Sequence, residues 1–188
     1  RVIGNIERVA SLFVAKNAYS FMLILWVSLA GLAYRFRPRH LPLISAVTIG
    51  IPAFVLALGP NTARYRPGFL RRVLWFTVPA GIAIGSATLA AYEASLEITE
   101  LPLAEARTLV TVTLLALGLV VLAVTSRPLR PWKAGLVALM GLSYAVVFAV
   151  PILRDFFELE LFWSSAWWYS AAAVAGAGAV VVAIPRVT

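Results

Sequence analysis

The chain has no cysteine, so neither a disulfide framework nor a thiolate metal site is open to it. Its single histidine, His40, stands among arginines in a connecting segment, which argues against a histidine metal centre. Acids are scarce, eight against sixteen basic residues, and none falls within a long apolar run. There is no P-loop. Gly176 and Gly178 do not make a dinucleotide loop, because no strand precedes them and no third glycine follows at the needed spacing; with their neighbouring alanines they read as a small-residue ridge for helix contact. The polar alternation of a membrane β-barrel is absent. So is the secretory pattern of a charged start, a short apolar core and a small-residue cleavage site.

What fills the 188 residues instead is apolar sequence, 62% of the composition. Six uncharged stretches read as spans: Ala18 to Tyr34, Leu41 to Gly59, Val73 to Tyr92, Thr108 to Thr125, Ala134 to Leu153 and Leu161 to Pro185. A helix rises about 1.5 Å per residue, so roughly 20 residues cross the roughly 30 Å hydrocarbon layer. A soluble domain of this size cannot bury six such runs, and in lipid each backbone must satisfy its own polar groups. The expected fold is therefore all-α, a polytopic bundle of six transmembrane helices in contact with membrane lipid.

The net charge of +8 raises nucleic acid as a partner, but its distribution along the chain argues for none. With the N-terminus inside, the inner segments hold eleven of the sixteen cations and one acid, Glu7, while the outer segments hold five cations and seven acids. That asymmetry satisfies the positive-inside rule and places both ends on the cytoplasmic side. The basic loop Arg35 to His40 falls outside and goes against the trend. Trp163, Trp167, Trp168 and Tyr169 at one end, with Trp75 and Trp132 at the other, form the expected aromatic belts. Thr108, Thr111 and Thr113 read as packing residues whose hydroxyls bond back to helical carbonyls. The chain starts on Arg1, and apolar residues at helical spacing run from Val2 into the first span without a break, as in a helix entering from another domain.

Arg1-Val2-Ile3-Gly4-Asn5-Ile6-Glu7-Arg8, leading into a span, resembles the start of the fifth transmembrane helix of P-type cation-transporting ATPases. Thr48-Ile49-Gly50-Ile51-Pro52-Ala53, continuing to Pro60-Asn61, is similar to the family's sixth helix, whose usual text is close to Thr-Asp-Gly-Leu-Pro-Ala. Four of these six positions agree. The resemblance is motif-specific over residues 1–61 and architectural over the rest. It implies helices five to ten of a bacterial plasma-membrane pump: residues 1–61 as the first helix pair with its cytoplasmic stalk and part of the ion pathway, residues 62–188 as a four-helix support. The transported partner would be an inorganic cation, calcium or another metal. The other partners would be N-terminal helices and cytoplasmic domains of the same polypeptide.

The departures bear on mechanism. Ile49 stands where calcium and sodium pumps carry a carboxylate, and ungapped alignment puts Phe21 at the fifth-helix glutamate. The ion-pathway candidates are Lys16, Asn17, Tyr19, Ser20, Thr48, Gly50, Pro52 and Asn61. Pro52 removes a backbone donor and frees the Thr48 carbonyl, either as a simple kink or as an unwound cation site. Lys16 either snorkels at a helix end or, with a one-residue shift, pairs with Asn17 like the Lys-Asn of some pumps, where a built-in cation replaces a transported one. Arg64, Arg66, Arg71 and Arg72 are candidates for a coupling loop that contacts cytoplasmic domains or anionic lipid, or for plain orientation. No Asp-Lys-Thr-Gly, Thr-Gly-Glu or Gly-Asp-Gly-x-Asn-Asp motif occurs. Hence no catalytic residue and no cofactor is expected in this chain, and Mg-ATP would belong to the intact parent. The rival readings are a stand-alone six-helix carrier or channel and a non-transporting membrane scaffold; no convincing internal repeat supports the carrier.

Overall fold

A computed structural model describes residues 2–29, 45–59 and 68–185. Arg35 to His40, Asn61, Arg64 and Arg66 lie outside these residues. The elements are α1 (Val2–Leu29), α2 (Ala46–Leu58), α3 (Phe69–Glu97), α4 (Leu103–Thr125), α5 (Pro131–Ala149), α6 (Pro151–Phe156) and α7 (Trp167–Ala183). The fold is all-α, with no strand among the described residues. Among the described residues three helices are long and apolar enough to cross a membrane, Leu70–Glu97, Leu103–Thr125 and Pro131–Ala149; Leu12–Leu25, Ala46–Leu58 and Trp167–Ala183 are shorter apolar helices.

α1 is continuous from Val2, as its unbroken spacing predicts. Its buried stripe is Leu12, Ala15, Tyr19 and Leu23, one residue per turn, and this face packs on α3. The close approach depends on Gly81 and Gly85 of α3. A Cβ at Gly81 would strike Ala18 Cβ and come within 2.9 Å of the backbone of Ala18 and Tyr19; one at Gly85 would lie 2.8 Å from Met22 Cβ. This Gly-x-x-x-Gly is the small-residue contact of membrane helices. The expected ridge is only partly so used. A Cβ at Gly178 would make ordinary contact with Val120, 3.8 Å away, whereas Gly176 has nothing within 4 Å.

α4 is the hub, touching α1, α2, α3, α5 and α7, with 67% of its spanning window buried against 44% for α3 and 28% for α5. Its threonines pack as expected. Thr108, Thr111 and Thr113 hydroxyls donate to the carbonyls four residues back at 3.1, 2.8 and 2.8 Å. Thr113 also bonds Ser170 of α7 at 2.8 Å, and the Glu160 amide donates to Thr108 Oγ1 at 2.9 Å.

Several bounds differ from the sequence expectation. The fifth span ends at Ala149 rather than Leu153, because Val150 precedes Pro151 and is held extended, at ψ 112°. Pro151 then opens the short α6 at a position where its missing N–H costs nothing. The last helix starts at Trp167 rather than Leu161. Before it, the Ala166 amide donates to Ser164 Oγ at 3.1 Å, Phe162 stacks on Trp167 at 5.0 Å, and Trp167 Nε1 donates to the Phe162 carbonyl at 3.3 Å, so this stretch is held by turn contacts instead of a helical ladder. Arg71 and Arg72 belong to the first turn of α3 rather than to a loop. Lys133, read as an interfacial charge, is buried: its Nζ donates to the carbonyls of Ser126 at 2.8 Å and Pro128 at 3.2 Å. Its neighbour Trp132 braces the end of α2, where a Cβ on Gly59 would be 2.5 Å from the indole.

Candidate functional site

The sequence singles out Pro52 as a break, and the structure shows what the backbone does about it. Pro52 cannot donate, so a regular ladder cannot run through this position. Immediately upstream the helix widens: Ala46–Gly50 is a π-helical turn, closed by the Ile51 amide donating to the Ala46 carbonyl, and α-helical geometry runs on from Ile51. Single π turns inside helices cluster at functional sites. This one is enclosed, with Val47, Thr48, Ile49 and Pro52 buried and Gly50 exposed.

Three other elements surround the turn that carries Thr48. Thr48 is 2% exposed and seated against Gly118 of α4, where an added Cβ would overlap the Thr48 methyl and stand 3.0 Å from its Cβ. From α1, the buried Tyr19 turns its hydroxyl towards Thr48 without completing a hydrogen bond of ordinary geometry. α5 also touches the π turn and contributes Tyr144 to the same core. The Tyr144 hydroxyl is likewise enclosed without a partner. A phenol and a threonine thus meet at a widened backbone turn, with Tyr144 in the same core. Hydroxyl and carbonyl oxygens are hard donors, suited to an alkali or alkaline-earth cation or to water.

Of the sequence candidates, Tyr19, Thr48 and Pro52 are brought together. Lys16 and Ser20 are half-buried beside the stripe that holds Tyr19, and Lys16 lies midway along α1 instead of at its end. Asn17 is exposed on the far side, with Phe21, 62% exposed. Arg71 is exposed and Arg72 half-buried. Among the described residues no group of three His, Cys, Asp or Glu side chains gathers. Glu93, the acid bordering a span, has one carboxylate oxygen enclosed and unpaired near the far end of α3. Sequence reasoning missed Gly118 and Tyr144. The available signals were a lone glycine inside an apolar helix and a tyrosine far from the aromatic belts.

No family model matches the chain. Known proteins do. It is 40% identical over 173 residues to the calcium-transporting ATPase CtpE of Mycolicibacterium smegmatis, and 44% identical over 177 residues to the proteins of that name from Mycobacterium bovis and Mycobacterium tuberculosis. The chain is homologous to a membrane segment of P-type ATPases. Each match takes in 85% of this chain and 22% of the relative, so the chain spans about a fifth of the length of these pumps. The sequence motifs at residues 1–8 and 48–53 thus lie in a chain whose similarity to such pumps is not confined to those motifs.

Proposed function

We propose that this chain is the membrane portion of an ATP-driven cation pump, helices five to ten of its ten, with both ends on the cytoplasmic side of a bacterial plasma membrane. Residues 1–61 carry the stalk entry and part of the ion path; residues 62–188 are the support. The observation that carries this reading is the enclosed π turn ahead of Pro52, with Thr48 and the Tyr19 hydroxyl turned towards each other inside the bundle. Calcium is the favoured cargo, since the relatives are calcium-transporting.

In this reading the widened turn presents backbone and Thr48 oxygens to the passing ion. Tyr19 lends a hydroxyl from α1, and Lys16, less than one turn earlier, supplies a fixed positive charge that lowers the number of cations the path must hold. α1 is also the lever. At 28 residues it is about 42 Å long, so a push on its Val2 end reaches Tyr19 through one rigid element. Residues fit for Mg-ATP are not present in this chain, and no step of ATP chemistry is assigned to it. Arg64, Arg66 and Arg72, within and just after the α2–α3 connection in the sequence, would meet the phosphorylation domain there.

The test is cation-stimulated ATP hydrolysis by the full-length polypeptide that contains this chain, in proteoliposomes, across calcium, manganese, zinc, sodium and potassium. Stimulation by one cation is expected, with Thr48→Val and Pro52→Ala each raising its half-saturating concentration while protein in the membrane stays constant. Cation-stimulated turnover with the same half-saturating concentration in both variants would refute an ion role for the turn.

A further inference from the structure

Between the first three turns of α3 and the end of α7 lies an open groove of about 810 Å³ that the proposed pathway does not use. Its walls include Trp75, Val78, Pro79, Ile184 and Pro185, and its lining is almost wholly apolar apart from Arg71 at one end. Arg71 is exposed, and Trp75 is 54% exposed. We infer that this groove holds one anionic phospholipid, its phosphate at Arg71 and an acyl chain along Trp75, Val78 and Ile184. The inference rests on the membrane location of the chain and is independent of the ion path.

Two chemistries at a fixed separation select this occupant. The walls offer nothing for a polar ligand to bond, so the body of the occupant must be hydrocarbon. The rim demands an anion. Arg71 puts an exposed positive charge into the first turn of α3, the end where the helix dipole is already positive, and that turn contains no acidic residue. From Arg71 to Val78 the helix rises about 10 Å, which sets an apolar trough directly behind a cationic rim. Basic pockets between transmembrane helices are where anionic headgroups dock. Pro79 lines the trough from α3, and Ile184 and Pro185, just past the end of α7 at Ala183, line it from the other side. A polypeptide helix in the same place would need an acid opposite Arg71 as well as an apolar stripe.

The experiment is native mass spectrometry of the full-length polypeptide carrying this chain, exchanged into detergent with equal amounts of phosphatidylcholine and phosphatidylglycerol. One phosphatidylglycerol retained in preference to phosphatidylcholine is expected. Arg71→Gln should lower that preference about fivefold, the worth of one basic residue at an anionic surface. Val78→Trp, which fills the trough, should abolish retention of either lipid there, and Arg154→Gln, on a different surface, should change nothing. Millimolar inorganic phosphate should not displace the lipid. A photo-crosslinker at position 75 distinguishes the occupants: an adduct of lipid mass supports the inference, while an adduct with another segment of the polypeptide or with a second copy overturns it. An unchanged lipid preference in Arg71→Gln, or displacement by phosphate alone, also overturns it.

Discussion

Gly118→Ala is the sharpest perturbation available, because it moves the candidate site without touching a polar atom. The new methyl would overlap the Thr48 methyl and sit 3.0 Å from Thr48 Cβ, against the 3.5–4.0 Å of a relaxed carbon contact. α2 or Thr48 must therefore retreat by roughly 1 Å or more. Overpacking of this kind costs about 1–3 kcal/mol, offset by up to about 1 kcal/mol from replacing glycine by alanine within a helix. Net stability falls by about 0–2 kcal/mol, so the protein still inserts and folds, and the strain is released into the π turn. A loss of about 1.4 kcal/mol in ion binding corresponds to a tenfold higher half-saturating concentration. The assay is ion-dependent ATP hydrolysis by the full-length pump, read as that concentration. Thr48→Ser removes the colliding methyl and keeps the hydroxyl; in the double variant much of the affinity should return. Gly118→Ala with wild-type ion dependence would show that the Thr48 position is irrelevant to transport.

At the α1–α3 crossing, Gly81→Ala meets backbone atoms at 2.9 Å that no rotamer change can move, so a loss of about 2–3 kcal/mol and lower thermal stability in detergent are expected, whereas Gly176→Ala, facing open space, should leave the melting temperature unchanged or slightly higher. Lys133→Met keeps the stem but strips two carbonyls of a charged donor; about 2–3 kcal/mol of stability should go, measured by the same melt. Lys16→Ala should change the number of ions moved per ATP, read as net charge per cycle in proteoliposomes, and an unchanged ratio would remove the built-in cation.

Much of the fold is legible in the sequence because a membrane helix is defined locally, by an apolar run of sufficient length. α4 follows from that alone, whereas α1 needs the helical spacing that runs from Val2 into its apolar part as well. Helix ends were legible too, through Pro151 and the extended residue before it, but a run of hydrophobicity does not weigh a single proline, and the fifth span was drawn too long. The Gly81–Gly85 contact was written in its spacing yet looks no different, in one sequence, from the idle Gly176; only the partner helix separates them. Lys133 shows the same limit from the polar side. A lysine between a loop and a span reads as interfacial, and it is the carbonyls of Ser126 and Pro128, turned inward by the loop, that make burial favourable. Pro52 announces the break, but the placing of Thr48 depends on Gly118, seventy residues further along the chain.

That placing bears on how a calcium pump, if the relatives' cargo is also this one's, works without a carboxylate at the usual positions of these two helices. Calcium takes six to eight oxygens. The described interior offers the hydroxyls of Tyr19, Thr48 and Tyr144 and the carbonyls of a π turn, all neutral, and among the described residues no group of three His, Cys, Asp or Glu side chains gathers. Neutral oxygens alone bind a divalent ion weakly in a low-dielectric site, so on the proposed reading the negative charge comes from elsewhere in the polypeptide. The faces left open agree on where. On α1 the exposed side carries Phe13, Asn17, Phe21 and Ile24, and on α2 it carries Gly50, Ile51, Phe54 and Leu58. Gly50, in the π turn itself, is exposed with no atom closer than 3.6 Å to where its Cβ would be, so a neighbouring helix can approach the widened backbone there. The turn is thus walled on one side by Tyr19 and Gly118 and open at Gly50 on the other. An acid arriving across that opening would complete the site, and its withdrawal would release the ion.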